Sequence, residues 1–187
     1  AFGGLDAVVS NAGITSPAPL IDLSVSKWDK LLNVNTRATL LLAQAAYPAL
    51  KESKGALVAV ASMSGMGAHP GMGAYSPSKA ALISLCQVLA QEWACDGINV
   101  NTVSPGMIRT PLTQKVYENN QIAEERAALV PWGRVGNPED ISNVISFLLS
   151  PEANYITGQN ILVDGGFVDS LYRHIPGLPD SSEIDKT

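Results

Sequence analysis

The chain of 187 residues is 46% hydrophobic and 16% charged, enough apolar material for one globular core and too much for a disordered or fibrous class. Its formal charge of -5 and pI near 4.9 provide no basic surface for nucleic acid, and no lysine-rich amphipathic segment or apolar run of spanning length points to a membrane. Small molecules are the partners this composition favours.

The chain begins at Ala1, not methionine, and enters a strand pattern at once, as a piece of a longer protein would; no signal-peptide pattern is visible. "LDAVVS" (5–10) is the first of four valine-rich runs of strand length, followed by "GALVAVAS" (55–62), "GINVNTVS" (97–104) and "NILVDG" (160–165). Such continuous runs predict strands buried on both faces, as in a parallel sheet. Between the first two, "SKWDKLLNVNTRATLLLAQAAYPAL" carries helical spacing, with Ser24 or Ser26 as its cap and Pro48 near its end. The next helix, "SKAALISLCQVLAQEWACDG", stops at Gly97, a residue suited to the left-handed C-terminal position. Cys86 and Cys95 lie nine residues apart on opposite faces of that helix, so they do not pair; with no metal-ligand spacing either, a reduced, cytoplasmic protein without a metal site is expected.

Residues 107–136 form a long connection with a helical pattern of their own, "QIAEERAAL", in which Glu124, Glu125 and Arg126 read as a solvated face. A connection after a strand's carboxyl end is where open α/β sheets bind ligands. In "NPEDISNVISFLLS" Asn137 can cap a helix, Pro138 fits its first position and the acids favour its N-terminus. The tail, 169–187, is polar and turn-rich and is expected to be partly disordered. Alternation of strand and helix predicts an α/β fold with right-handed crossovers.

Tyr75 and Lys79 stand four residues apart at the start of the second helix, where they share a face, and Pro77 between them costs nothing in a first turn. Taken alone, the pair fits a capped helix with an edge tyrosine and a solvated lysine. Its context argues for chemistry: Ser62 ends the preceding strand, and the glycine-rich "GMGAHPGMGA" loop lets hydroxyl, phenol and ammonium converge at the sheet's carboxyl edge. A tyrosine base near neutral pH needs about three units of pKa depression, or about 4 kcal/mol, and a neighbouring lysine charge has the correct sign. Tyr75 then becomes a candidate general acid/base and Ser62 the group that holds a substrate oxygen.

"SNAG" (10–13), "NVN" (33–35), Ser62, "YSPSK" (75–79), "NTVSPGMIRT" (101–110) and "VDGG" (163–166) occur in the order and spacing of one family, and over nearly its whole length the chain resembles the classical short-chain dehydrogenase/reductases. The resemblance implies a Rossmann-like, doubly wound parallel sheet, incomplete here, with about four strands and flanking helices over 1–168. It implies a proton exchanged by Tyr75 and a Lys79 that tunes Tyr75 and binds the nicotinamide ribose. Ser62 would orient the substrate, and Asn35 would hold a water in the proton relay. Asn11, Ala12 and Gly13 would lie beside the adenosine half of the cofactor, and Pro105, Gly106, Ile108 and Thr110 would meet the nicotinamide. "VDGG" is read as packing and subunit contact. A homodimer or homotetramer is implied for the full-length form.

The family's TGxxxGxG phosphate loop, which follows a first strand, has no match here; "FGGLD" (2–6) precedes a strand instead. The segment that chooses NAD or NADP is equally absent, so the cofactor is either, and the chain corresponds to the fourth to seventh strands of such a sheet. The expected activity is hydride transfer between nicotinamide and a secondary alcohol/ketone pair, by a fragment inactive on its own. The alternatives are a non-catalytic binding or assembly protein derived from the family, and an oligomeric scaffold unable to bind dinucleotide. Residues 107–134 carry no chemical label such as a clustered arginine set, leaving steroid, sugar, acyl-thioester and simple ketone substrates open. His69 reads first as a surface residue, with contact to substrate as the alternative, and Trp132 and Met107 as either pocket or core.

Overall fold

A computed structural model describes residues 3–176, in which four parallel strands lie side by side in chain order. They are β1 (Ala7–Ser10), β2 (Ala56–Val60), β3 (Asn99–Pro105) and β4 (Asn160–Val163). Register pairs Val8 with Leu57, Val58 with Asn101 and Val103 with Ile161.

The helical region after β1 divides in three. Helix α1 (Val25–Leu32) is capped by Ser24, whose Oγ accepts the Lys27 amide; a π turn (Asn33–Arg37) follows, and α2 (Ala38–Ser53) completes it. Pro48 does not end α2, which runs on to a left-handed Lys54. Helix α3 (Tyr75–Trp93) leads through a single-turn 3-10 segment to Gly97 at φ 78°, the predicted stop. The 107–136 connection holds two short helices, α4 (Gln114–Tyr117) and α5 (Asn120–Leu129), and α6 (Pro138–Leu148) precedes β4. Asn137 sits at the N-cap of α6; the Asp140 carboxylate accepts its amide at 2.7 Å and pairs with Arg134.

Alternation along β2 explains the layering. Leu57 and Ala59 face Leu50 of α2 and Leu82, Cys86 and Leu89 of α3, whereas Val58 faces the other way, toward Ile141 and Leu148 of α6. The sheet is therefore covered on both faces, as in a doubly wound fold. Full two-sided burial holds for β2 and most of β3 but not for the outer strands: Val9 of β1 is exposed and β4 is half-buried throughout. Each of those strands lies at an edge of the described sheet, with a neighbour on one side only. The tail expected from Asp169 forms a short turn at Leu171–His174; its remainder, 177–187, lies outside the described residues.

Candidate active site

Tyr75 is the first residue of α3, so its side chain projects from the end of the helix that faces the loop after β2. Pro77 falls in the first turn, where its missing N–H has no intrahelical partner to lose. One turn on, Lys79 is only 3% exposed; its Nζ donates to the Val60 carbonyl at 2.7 Å and sits 5.8 Å from the centre of the Tyr75 ring. Ser62 caps the turn that ends β2, its Oγ accepting the Ser64 amide at 3.1 Å.

These three residues and Asn11, Gly13, Pro105, Gly106, Ile108 and Thr110 line one cleft of about 600 Å³ at the carboxyl edge of the sheet. Gly106 is fixed by contact, because a Cβ there would lie 2.4 Å from Cβ of Asp164. Asp164 in turn accepts the amides of Gly166 and Val168, so "VDGG" has the packing role expected of it.

Asn35 and Ala12 do not line the cleft. Ala12 is exposed on the loop after β1. Asn35 is fully buried in the π turn, with its side-chain amide spent on neighbours: Oδ1 accepts the Ile14 amide at 2.8 Å, and Nδ2 donates to the Ile14 carbonyl and to Ser78 Oγ. Thr36 Oγ1 adds a bond to the Ser78 carbonyl at 2.8 Å. The side chain of Asn35 thereby clamps the loop after β1 and the π turn onto the first turn of α3. A methyl group at Gly13 would meet Lys79 Nζ at 3.4 Å and Asn35 Oδ1 at 3.5 Å, so the clamp lies directly behind the lysine.

Electrostatics differ from the expected tuning of Tyr75 by Lys79. Burial raises the Tyr75 pKa above its usual 10.0, and the Ser62 hydroxyl opposes it. Burial also lowers Lys79 from 10.5 to about 8. No carboxylate lines the cleft to offset the desolvation of the ammonium.

Several cleft residues were not legible as such. Thr15, Ser64, Met72, Val116 and Tyr117 line it, and so does His69, exposed on its loop and held by Ser64 Oγ at 2.9 Å. Met107 lines the cleft, whereas Trp132 is 74% exposed and borders a separate depression of about 200 Å³ beside the Arg134–Asp140 pair. Arg126 departs most from its reading as part of a solvated face. Glu124 and Glu125 are exposed, but Arg126 is half-buried and lines the cleft, its guanidinium 5.5 Å from the centre of the Tyr117 ring. Ala123, Arg126, Ala127 and Val130 recur at helical spacing, a phase that would have placed Arg126 on the inner stripe.

Among the described residues no His/Cys/Asp/Glu cluster could hold a metal, and no helix is long and apolar enough to cross a membrane. A family model described as enoyl-(acyl carrier protein) reductase matches residues 1–168. The chain is 40% identical over 168 residues to 3-oxoacyl-(acyl-carrier-protein) reductase of Thermotoga maritima, covering 89% of this chain and 68% of that protein. It is 40% identical over 161 residues to (3R)-3-hydroxyacyl-CoA dehydrogenase of Mus musculus, covering 85% and 61%. Among solved structures, 4-hydroxyisoleucine dehydrogenase complexed with NADH superposes with a TM-score of 0.83 at 36% identity, covering 88% of this chain and 68% of that one. Across five curated relatives the chain spans 51–68% of their length.

Proposed function

The chain belongs to the short-chain dehydrogenase/reductase family, and from that membership we propose that it serves NAD(P)-dependent hydride transfer between a secondary alcohol and its ketone. The observation that carries the reading is the meeting of Ser62, Tyr75 and Lys79 in one cleft at the carboxyl edge of a parallel sheet. Tyr75 gives its phenolic proton to the carbonyl oxygen in reduction and takes one from the alcohol in oxidation. Its raised pKa keeps the proton in place at neutral pH, which suits the acid role. Ser62 orients the same oxygen by hydrogen bonding.

The residues present fit the nicotinamide riboside half of a dinucleotide. Lys79 has three donors, of which the Val60 carbonyl takes one, and the others suit ribose hydroxyls. Asn11 and Gly13 on one side and Pro105, Gly106, Ile108 and Thr110 on the other offer close backbone approach, with Ala12 exposed on the same loop as Asn11. When bound, NAD(P)H supplies the hydride that the carbonyl carbon accepts, so that ketone and proton become alcohol as the nicotinamide is oxidised. Asn35 acts as a positioning residue for the Tyr75–Lys79 turn. NAD and NADP are equally compatible with these residues, and a cytoplasmic setting accords with the two free cysteines.

Replacing Tyr75 with Phe removes only the phenolic proton donor. In a full-length version, turnover of a ketone panel should fall by a factor of about 100 or more, with the NAD(P)H dissociation constant little changed. Residual turnover above a tenth of wild type would refute the assignment. A homodimer or homotetramer is supported by exposed Leu41 and Leu42 on α2 and Val88 on α3, apolar residues on the helices that cover one sheet face. Light scattering should give a mass above that of one chain, and a concentration-independent monomer would refute it.

A further inference from the structure

We propose that the substrate bears an oxoanion, a carboxylate or a phosphate, and that Arg126 holds it while the reacting oxygen lies against Ser62 and Tyr75. The inference rests on the hydride-transfer reading for the position of that oxygen alone.

Acidic residues outnumber Lys and Arg in the chain, 17 to 12, yet the cleft is lined by no aspartate or glutamate. Its ionisable walls are Lys79, His69, Arg126 and two tyrosines, Tyr75 and Tyr117. A cleft of one sign focuses its field and selects ligands of the other, even on a protein of opposite net charge. Lys79 donates to the Val60 carbonyl and its other two donors are assigned above to ribose hydroxyls, which leaves Arg126 as the cation free for substrate.

Arg126 makes one hydrogen bond to protein, to the Tyr117 hydroxyl at 3.4 Å, and no ion pair among the described residues. A guanidinium carries five N–H donors in a rigid fork matched to carboxylate and phosphate. Tyr117, 5% exposed, holds that fork by its ring and hydroxyl, and Arg109 approaches the same ring at 5.3 Å. Two guanidiniums flank one buried ring, Arg109 from the exposed side and Arg126 from the cleft, neither paired with a carboxylate among the described residues, and an anionic ligand would neutralise this positive locus. Arg126 also borders an adjoining chamber of about 370 Å³ with Leu129, Phe167 and Val168. It therefore stands at the border between the cleft and a second, mostly apolar chamber, within reach of ligands in either.

The test titrates the 187-residue chain with 3-oxobutanoate, 4-oxopentanoate and 5-oxohexanoate against their methyl esters, and with dihydroxyacetone phosphate against dihydroxyacetone. Binding is followed by the arginine Nε–H resonances in NMR. At least one anion should bind about tenfold or more tightly than its neutral counterpart, and which series responds decides between carboxylate and phosphate. Arg126→Met should erase the preference and Arg126→Lys keep part of it, with NADH and NADPH affinity unchanged in both. Equal binding of acid and ester by the wild-type chain would overturn the inference, and that comparison needs no variant to fold. A preference that survives Arg126→Met would overturn it, as would an Arg126→Met variant that weakens dinucleotide binding instead. Arg126-dependent anion binding by this chain, with no reduction of any ketone by NAD(P)H in a full-length version that carries the phosphate loop, would leave this inference standing and sink the hydride-transfer reading alone.

Discussion

Lys79 is held in the fold at a thermodynamic cost that can be measured. It is buried beneath Tyr75 with one carbonyl acceptor and no carboxylate in the cleft, and burial lowers its pKa from 10.5 to about 8. Below about pH 8 the lysine is protonated in both folded and unfolded chains, and the fold carries the full cost of the buried charge. Between about 8 and 10.5 the unfolded chain binds more protons than the folded one, so stability rises with pH across that window. At about 1.4 kcal/mol per pH unit the window amounts to about 3 kcal/mol. Lys79→Met keeps the stem and removes the charge. After subtracting about 1 kcal/mol for the lost bond to Val60, the variant should be more stable than its parent by about 2 kcal/mol near neutral pH, with the gain crossing zero within the window and becoming a loss of about 1 kcal/mol at its alkaline end. Urea melts across the window give the difference. They belong in a Tyr75→Phe background, because the raised tyrosine pKa contributes with the opposite sign at high pH. A difference that is constant with pH, or a Lys79→Met variant less stable near neutrality, would refute the reasoning. The expected result is a residue retained against stability, the usual signature of a group kept for binding or chemistry.

Asn35→Ala leaves the amide and carbonyl of Ile14 and the Ser78 hydroxyl without their buried partner and should cost about 3 kcal/mol in urea denaturation, where a loss under about 1 kcal/mol would mean the clamp is unimportant. Gly106→Ala forces a methyl group to within 2.4 Å of Cβ and 2.7 Å of Cα of Asp164; because the obstacle is a chain segment and not a flexible tip, a loss of about 2 kcal/mol or more is expected in the same assay. Gly133→Ala, at φ 78° with open space around it, should cost only about 1 kcal/mol, and equal losses at the two sites would contradict the contact argument.

What could be read from the sequence was what local pattern encodes. Valine-rich runs gave the four strands to within a few residues, and Ser24, Gly97 and Pro138 marked helix ends because capping chemistry is local. Tyr75, Lys79 and Ser62 were legible because two share a helix turn and the third ends the strand before it. The side-chain partners of Asn35 were not, since they lie 21 and 43 residues away and no spacing rule joins them. Pro48 falls near the end of α2, as read, and the helix runs past it because the burial of Ala43, Ala46 and Leu50 on both sides holds it despite the lost hydrogen bond.

Arg126 shows where charge patterning fails and why the failure is informative. Beside Glu124 and Glu125 it looks like one member of a solvated run, and on an isolated helix it would be. The chain breaks after α4, and Asn119 restarts it by accepting the Ile122 amide at 3.2 Å, which turns α5 back so that its inner stripe meets Tyr117. A half-buried cation with no carboxylate partner is costly to a fold unless something else repays the lost hydration. Among the described residues the repayment is one long hydrogen bond and the face of one ring, the weaker kinds of compensation. What the fold leaves incompletely satisfied at the mouth of its cleft is a donor fork, and a ligand that completes it gains the part of the binding energy that separates one ketone from another.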